Sequence, residues 1–244
     1  MTTSIAAPVV STSENAFPEL SAAERRQRWF EVCLVLLVAL GAFILSSLYV
    51  LVHGPSAFTQ LSNLRAASGL LQESAALLVL GYVLSRRGMS FAHLGFRWSL
   101  RDVRIGLLLM LLAWIAYAFG SVAIQVVHRV LFGAYGSGPR AQDFFAHPPV
   151  LFIPFSLLNP FFEELIVRAY LMTEVIELTR SRALAVALSV GIQFLYHLYY
   201  GLVGAVSVSF FFLVLALYYL RSRKALPVIV AHAFVDIYAL IRLW

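Results

Sequence analysis

Seven long apolar stretches, at about 29–52, 67–85, 104–133, 149–178, 183–200, 203–220 and 225–243, constrain this chain more than any other feature. A helix needs roughly 20 apolar residues to cross a bilayer, and most of these stretches are near that length. Composition agrees, with 61% hydrophobic and 12% charged residues and a mean hydropathy of +0.85, against about 45–50% and 25% in soluble domains. The pattern predicts an all-α, polytopic transmembrane helical bundle of about seven spans, with residues 29–244 as one membrane domain. The fourth stretch is longer than a span requires and contains Pro160, which removes a backbone donor; a kink, or a short piece preceding the span, is expected there.

Charge placement sets the orientation. The net charge of +6 comes from 17 arginines and Lys224. Thirteen of these cations fall on one side of the predicted spans: Arg25, Arg26, Arg28, Arg86, Arg87, Arg97, Arg101, Arg104, Arg180, Arg182, Arg221, Arg223 and Lys224. Four, Arg65, Arg129, Arg140 and Arg242, fall on the other. Short cytoplasmic loops carry the excess of Lys and Arg, so the N-terminus is predicted in the cytoplasm and the C-terminus outside. This placement explains the basic balance without a nucleic-acid partner. The preference for Arg over Lys suggests a bacterial source, hence a multi-pass protein of the bacterial inner membrane.

Residues 1–28 read as a disordered or interfacial cytoplasmic tail, although Ser21 with Glu24 forms a capping-box pattern. The apolar run that follows is long enough to span, which disfavours a cleaved signal. Ser99 with Asp102 resembles a second helix start at the end of a cytoplasmic linker over 91–102. The single Cys33 excludes a disulfide framework or CxxC metal site and reads as a lipid-facing or packing residue. No internal repeat, Gly-rich phosphate loop or HExxH pattern is present.

Chemistry therefore rests on polar residues at membrane depth. A charge there costs about 2.5–3.5 kcal/mol on insertion scales and marks a polar interior. Glu163, Glu164 and Arg168 interrupt the fourth stretch. Glu164 and Arg168, four apart, share a helix face and neutralise each other, which leaves Glu163 for another partner. His197 lies in the fifth stretch; His232 and Asp236, also four apart, lie in the seventh. Singly, each has a structural reading as a buried hydrogen-bonding or ion-pairing group, but four such groups on three spans are harder to explain as packing. Glu73, with Gln72, is assigned to the outer boundary or to helix packing. Glu174, Glu177, His53, His93, His128 and His147 are assigned to solvated loops and span ends.

Glu-Glu-xxx-Arg, then a His-bearing span, then His-xxx-Asp resembles the three motifs of the CAAX protease and bacteriocin-processing family, which includes the type II CAAX prenyl endopeptidases. The resemblance covers about residues 149–244. Two positions depart from the family pattern: Gln193 stands where Phe is usual, and Asp236 where the prenyl endopeptidases often have Asn. An ionised Asp donates no hydrogen bond, so Asp236 must be protonated, orient His232 or pair with Arg168.

The resemblance implies an intramembrane endopeptidase that cuts a membrane-bound protein or peptide, prenylated in some relatives. Glu163 and His197 would activate a water, His232 with Asp236 would stabilise the oxyanion, and Glu164 and Arg168 would support the site. No cofactor is required; the alternative is one divalent metal such as zinc on Glu163, His197 and His232 with an open position for water. Two other classes remain: a non-catalytic membrane adaptor or bacteriocin-immunity protein on the same fold, and a proton-coupled transporter. Transport predicts broken helices in both halves, and Pro160 has no counterpart. The intact motif set argues against a scaffold without turnover. Substrate identity and oligomeric state are not legible.

Overall fold

The structure is a computed structural model that describes residues 20–54, 62–136 and 148–243. The predicted tail over 1–19, together with Arg140 and His147, lies outside the described residues. Every regular element among those residues is helical. Helix α1 spans Ala22–His53 and begins at the predicted capping box: the Ser21 hydroxyl accepts from the Glu24 N–H at 3.2 Å, and the Glu24 carboxylate accepts from the Ser21 N–H at 2.8 Å. Residues 22–28, assigned above to the tail, are thus the first turns of a long helix.

Helix α2 covers Asn63–Arg86 and α3 covers Leu100–Phe132, the latter capped by Ser99. Between them the predicted linker folds into a 3₁₀ turn, Phe91–Leu94, whose Leu94 is buried. Gly95 follows with φ +81°, and a Cβ there would lie 1.9 Å from the Arg223 carbonyl oxygen, so only glycine fits.

The fourth apolar stretch forms one continuous helix in three parts: α4 (Phe152–Glu163), a π-helical segment (Glu164–Tyr170) and α5 (Leu171–Thr179). The helix runs through Pro160, and the widening comes four residues later, where the Leu171 N–H reaches back five residues to the Ile166 carbonyl. Helix α6 covers Arg182–Tyr196; a 3₁₀ turn, Leu198–Tyr200, connects it to α7 (Gly201–Ser222), and α8 (Ala225–Leu243) follows. His197 therefore sits at the C-terminal cap of α6 and not inside a span. The reason is local: Gly201 at φ +76° ends the turn and lets a new helix start, splitting the apolar run in two.

Helices α1, α2, α3, α7 and α8 are long and apolar enough to cross a membrane, and the chain is an integral membrane protein. Helix α6, at 15 residues, is shorter than a span. The α4–π–α5 helix occupies the centre, with Phe162, Ile166, Val167, Ala169, Tyr170, Leu171 and Met172 all buried. Helix α3 packs chiefly on α7 and α8 and exposes Leu108, Leu111, Leu112 and Phe119 on its other face, as a lipid-facing helix does. Cys33 is likewise exposed.

Ion pairs gather at one end of the bundle. Arg28 of α1 meets Glu174 at 2.8 Å and Glu177 at 2.5 Å, while Arg87 joins Glu174 at 2.8 Å and also bonds Glu31. Burial disfavours the Arg87 charge, but Glu174 and Glu31 outweigh it and raise the guanidinium pKa above its ordinary value. Glu174 is buried here, contrary to the solvated assignment, because two arginines replace its water. On the same end Lys224 meets Asp102 at 2.8 Å, and Arg223 reaches the Thr173 hydroxyl at 3.2 Å.

Candidate active site

Four of the residues singled out by sequence, Glu163, His197, His232 and Asp236, line one cavity of about 150 Å³, although they come from three different elements. Asn159 and Ser156 of α4 complete its polar wall, and Phe152, Phe155, Tyr199 and Tyr200 its aromatic one.

Consecutive glutamates point to different neighbours. The Glu163 carboxylate accepts from the Gln193 side-chain amide at 2.7 Å and also bonds Asn159. Glu164 turns to α8, where one carboxylate oxygen lies 3.0 Å from His232 Nδ1. Its other oxygen faces Arg168 Nε at 3.4 Å. The predicted Glu164–Arg168 pair is present, but Glu164 is shared with His232. Arg168 is fully buried; it donates to the Ser189 hydroxyl at 2.8 Å and its guanidinium stands 4.8 Å from the Phe212 ring centre. Such a buried cation draws on ring quadrupole and carboxylate together.

Consecutive residues of a helix point about 100° apart, which accounts for this divergence; the π-helical segment begins at Glu164. A turn closed over five residues changes the rotational spacing within the segment. Such wide turns recur at functional sites.

His197 Nδ1 lies 2.9 Å from the Gln193 carbonyl oxygen. A carbonyl only accepts, so Nδ1 carries the ring proton and Nε2 is left as an acceptor. The turn that follows is held in the bundle by α1, where the Ser47 hydroxyl accepts from the Tyr199 N–H at 2.7 Å. Irregular backbone inside a membrane protein needs such partners.

Asp236 accepts from the Asn159 amide at 3.2 Å, and its other oxygen stands 3.6 Å from His232 Nε2. Of the three roles open to Asp236, pairing with Arg168 is not the one the geometry provides, since Arg168 is engaged by Glu164, Ser189 and Phe212.

Three participants were not identified from sequence. Gln193, noted above only as standing where Phe is usual, is a hydrogen-bond donor to Glu163. Asn159 joins Glu163 to Asp236; its position one turn before Glu163 on the same helix is the signal that would have found it. Glu73, assigned to the outer boundary or to helix packing, is fully buried and interacts electrostatically with Glu163 and Asp236, with no hydrogen-bond partner among the described residues. Its neighbours in sequence, Gln72 and Ser74, give no hint of that position.

For a metal, the ligand atoms that approach within 4.8 Å of one another belong to Glu163, Glu164 and His232. Two carboxylates and an imidazole fit a divalent ion of the zinc class. His197, placed by sequence in the ligand set, is not in that group, and Glu164 takes its place.

Comparison with curated proteins and with solved structures gives no match. Comparison with protein families does: the family described as "Type II CAAX prenyl endopeptidase Rce1-like" matches residues 145–238, a stretch that contains Glu163, His197, His232 and Asp236. Over residues 145–238 the chain is thus similar to the family described as type II CAAX prenyl endopeptidase Rce1-like.

Proposed function

We propose that this protein is an intramembrane endopeptidase that hydrolyses a peptide bond of a membrane-associated substrate by water activation between Glu163 and His197. The observation that supports this most is the convergence of a carboxylate and an imidazole acceptor, Glu163 and His197 Nε2, on one cavity that also holds His232 and Asp236.

A water there donates one hydrogen to Glu163 and the other to His197 Nε2, which directs its lone pair at the scissile carbonyl carbon. Glu163 takes the proton as the C–O bond forms. Gln193 and Asn159 occupy other lone pairs of the carboxylate and hold its orientation. His232, in its imidazolium form, keeps one N–H on Glu164 and offers Nε2–H to the developing oxyanion, with Asp236 beside it. Glu163 then returns the proton to the leaving amine nitrogen as the C–N bond breaks. Arg168 holds Glu164, and through it the His232 ring.

The donor set Glu163, Glu164 and His232 favours a second reading in which a zinc-class ion is held at the site. Such an ion would supply Lewis-acid polarisation of water.

The test is cleavage of a panel of membrane-embedded and prenylated peptides by purified protein and by Glu163→Gln, with and without chelator. Cleavage by the wild type that is lost in the variant supports the reading. A folded wild type that cuts nothing shifts the balance to a non-catalytic adaptor.

A further inference from the structure

Helices α2 and α4 run side by side in the same direction. Near their starts the Leu151 N–H donates to the Asn63 side chain at 3.4 Å, and further along Gly69 lies against the Phe155 ring, where a Cβ would stand 2.7 Å from it. Glu73 follows Gly69 by four residues and Asn159 follows Phe155 by four. Both therefore lie about 6 Å beyond that contact, at one level of the bundle.

Glu73 is completely buried there, and neither oxygen of its carboxyl group has a hydrogen-bond partner among the described residues. Its electrostatic neighbours, Glu163 and Asp236, are both acids, and Tyr196 of the cavity wall interacts with the same three carboxyl groups.

Asn159 has the complementary gap. Its amide N–H groups go to Asp236 at 3.2 Å and to Glu163. That leaves Oδ1, an acceptor only, buried without a partner among the described residues. Buried polar groups are hydrogen-bonded in the great majority of cases. An ionised Glu73 has nothing but acceptors; it would face two further acids without a cation to compensate it, a costly arrangement at membrane depth. A neutral carboxylic acid has one O–H to give.

We propose that Glu73 is a positioning residue of the site, a neutral carboxylic acid whose O–H donates to Asn159 Oδ1, directly or across one bridging water. The bond fixes the plane of the Asn159 amide, and that amide in turn holds Glu163 and Asp236 at a set separation. Helix α2 supplies none of the described residues that line the cavity, yet through Glu73 it orients the carboxyl groups inside. The consequence for rate rests on the protease reading; the protonation of Glu73 and its bond to Asn159 do not.

The test is infrared absorption of the full-length protein at neutral pH, with the Glu73 signal isolated as the difference between a protein and the same protein carrying Glu73→Gln. Wild type minus E73Q should show the C=O band of a protonated carboxyl group. The same difference in an Asn159→Ala background should show that band at higher frequency, as for a carboxyl group that has lost its acceptor; Asn159→Leu serves if the alanine variant does not fold. Carboxylate bands in place of the C=O band overturn the proposal, and so does a C=O band that the change at Asn159 leaves unmoved. In cleavage, Glu73→Leu should lower kcat about tenfold with KM unchanged, the effect of one hydrogen bond lost from positioning. E73Q keeps a neutral donor and should retain most of the rate. E73L at the wild-type rate, or E73Q as slow as E73L, overturns the positioning role. A protein that cuts nothing would still give the infrared result, so the two readings fail separately.

Discussion

The Gln193 amide donates to the Glu163 carboxylate at 2.7 Å, both groups are buried, and the same residue's carbonyl receives His197 Nδ1 at 2.9 Å. One residue of α6 therefore positions both members of the proposed water-activating pair. Replacing Gln193 with Leu leaves a buried carboxylate short of a donor, which costs about 1–3 kcal/mol. Thermal unfolding in detergent should show that loss, and kcat should fall with KM little changed, since substrate does not touch Gln193. An unchanged kcat in a folded variant would remove Gln193 from the positioning role.

Glu163→Gln keeps the shape and the contact with Asn159 but removes the base. Loss of a general base lowers rates by about 10²–10⁴. Cleavage should fall by that factor while unfolding temperature holds or rises, because a buried charge has been removed. Residual activity near the wild-type level would reassign the base to His197.

Arg168 is the one buried arginine or lysine among the described residues, set against Glu164 at 3.4 Å. Arg168→Met leaves Glu164 with His232 as its remaining partner, so the cost should approach but not exceed the about 3–5 kcal/mol of breaking a buried pair. The double variant Arg168→Met with Glu164→Gln should recover much of it. If the single variant is as stable as wild type, the pair carries no structural weight and Arg168 acts elsewhere.

A chelator separates the two readings of the site. Water activation by Glu163 and His197 alone predicts unchanged turnover after exhaustive chelation. An ion on Glu163, Glu164 and His232 predicts loss of turnover, restored by a zinc-class metal, and a metal content that falls in His232→Ala. Elemental analysis of the purified protein together with the chelated rate decides between them.

At the other end, Glu174 binds Arg28 and Arg87 and thereby ties α5 to α1 and to the end of α2. Glu174→Ala removes a buried acceptor from two arginines that keep Glu177 and Glu31 as partners, so the expected cost is the more modest ~1–3 kcal/mol of an unmade charged hydrogen bond. Denaturation at low and high salt measures it; a variant as stable as wild type would make the cluster a solvated surface feature.

How much of this was legible in the sequence depends on range. The apolar lengths, the capping box at Ser21 and the motif residues lining the cavity followed from local pattern, because span length and helix capping are set by neighbours along the chain. The i,i+4 pair of Glu164 and Arg168 was equally local. The electrostatic neighbours of Glu73 and the bond from Gln193 to Glu163 were not legible, because what a buried polar residue meets depends on what other helices bring to it. His197 was placed inside a span because a 3₁₀ turn of Leu-Tyr-Tyr leaves the hydropathy profile unbroken; only Gly201 marked the boundary.

The π-helical segment gives one continuous helix two independent rotational settings. Upstream of it, α4 faces α2 and α8 and supplies Asn159 and Glu163; downstream, α5 faces α6 and α1 and supplies Glu174. A single α-helical period could not serve both halves, because fixing the phase at one end would fix it at the other. The extra backbone in the wide turn works as a vernier between them. Loss of one residue within Glu164–Tyr170 would put the cavity-lining half and the anchoring half out of step by about 100°, the rotation of one α-helical residue, with no side chain of either half altered.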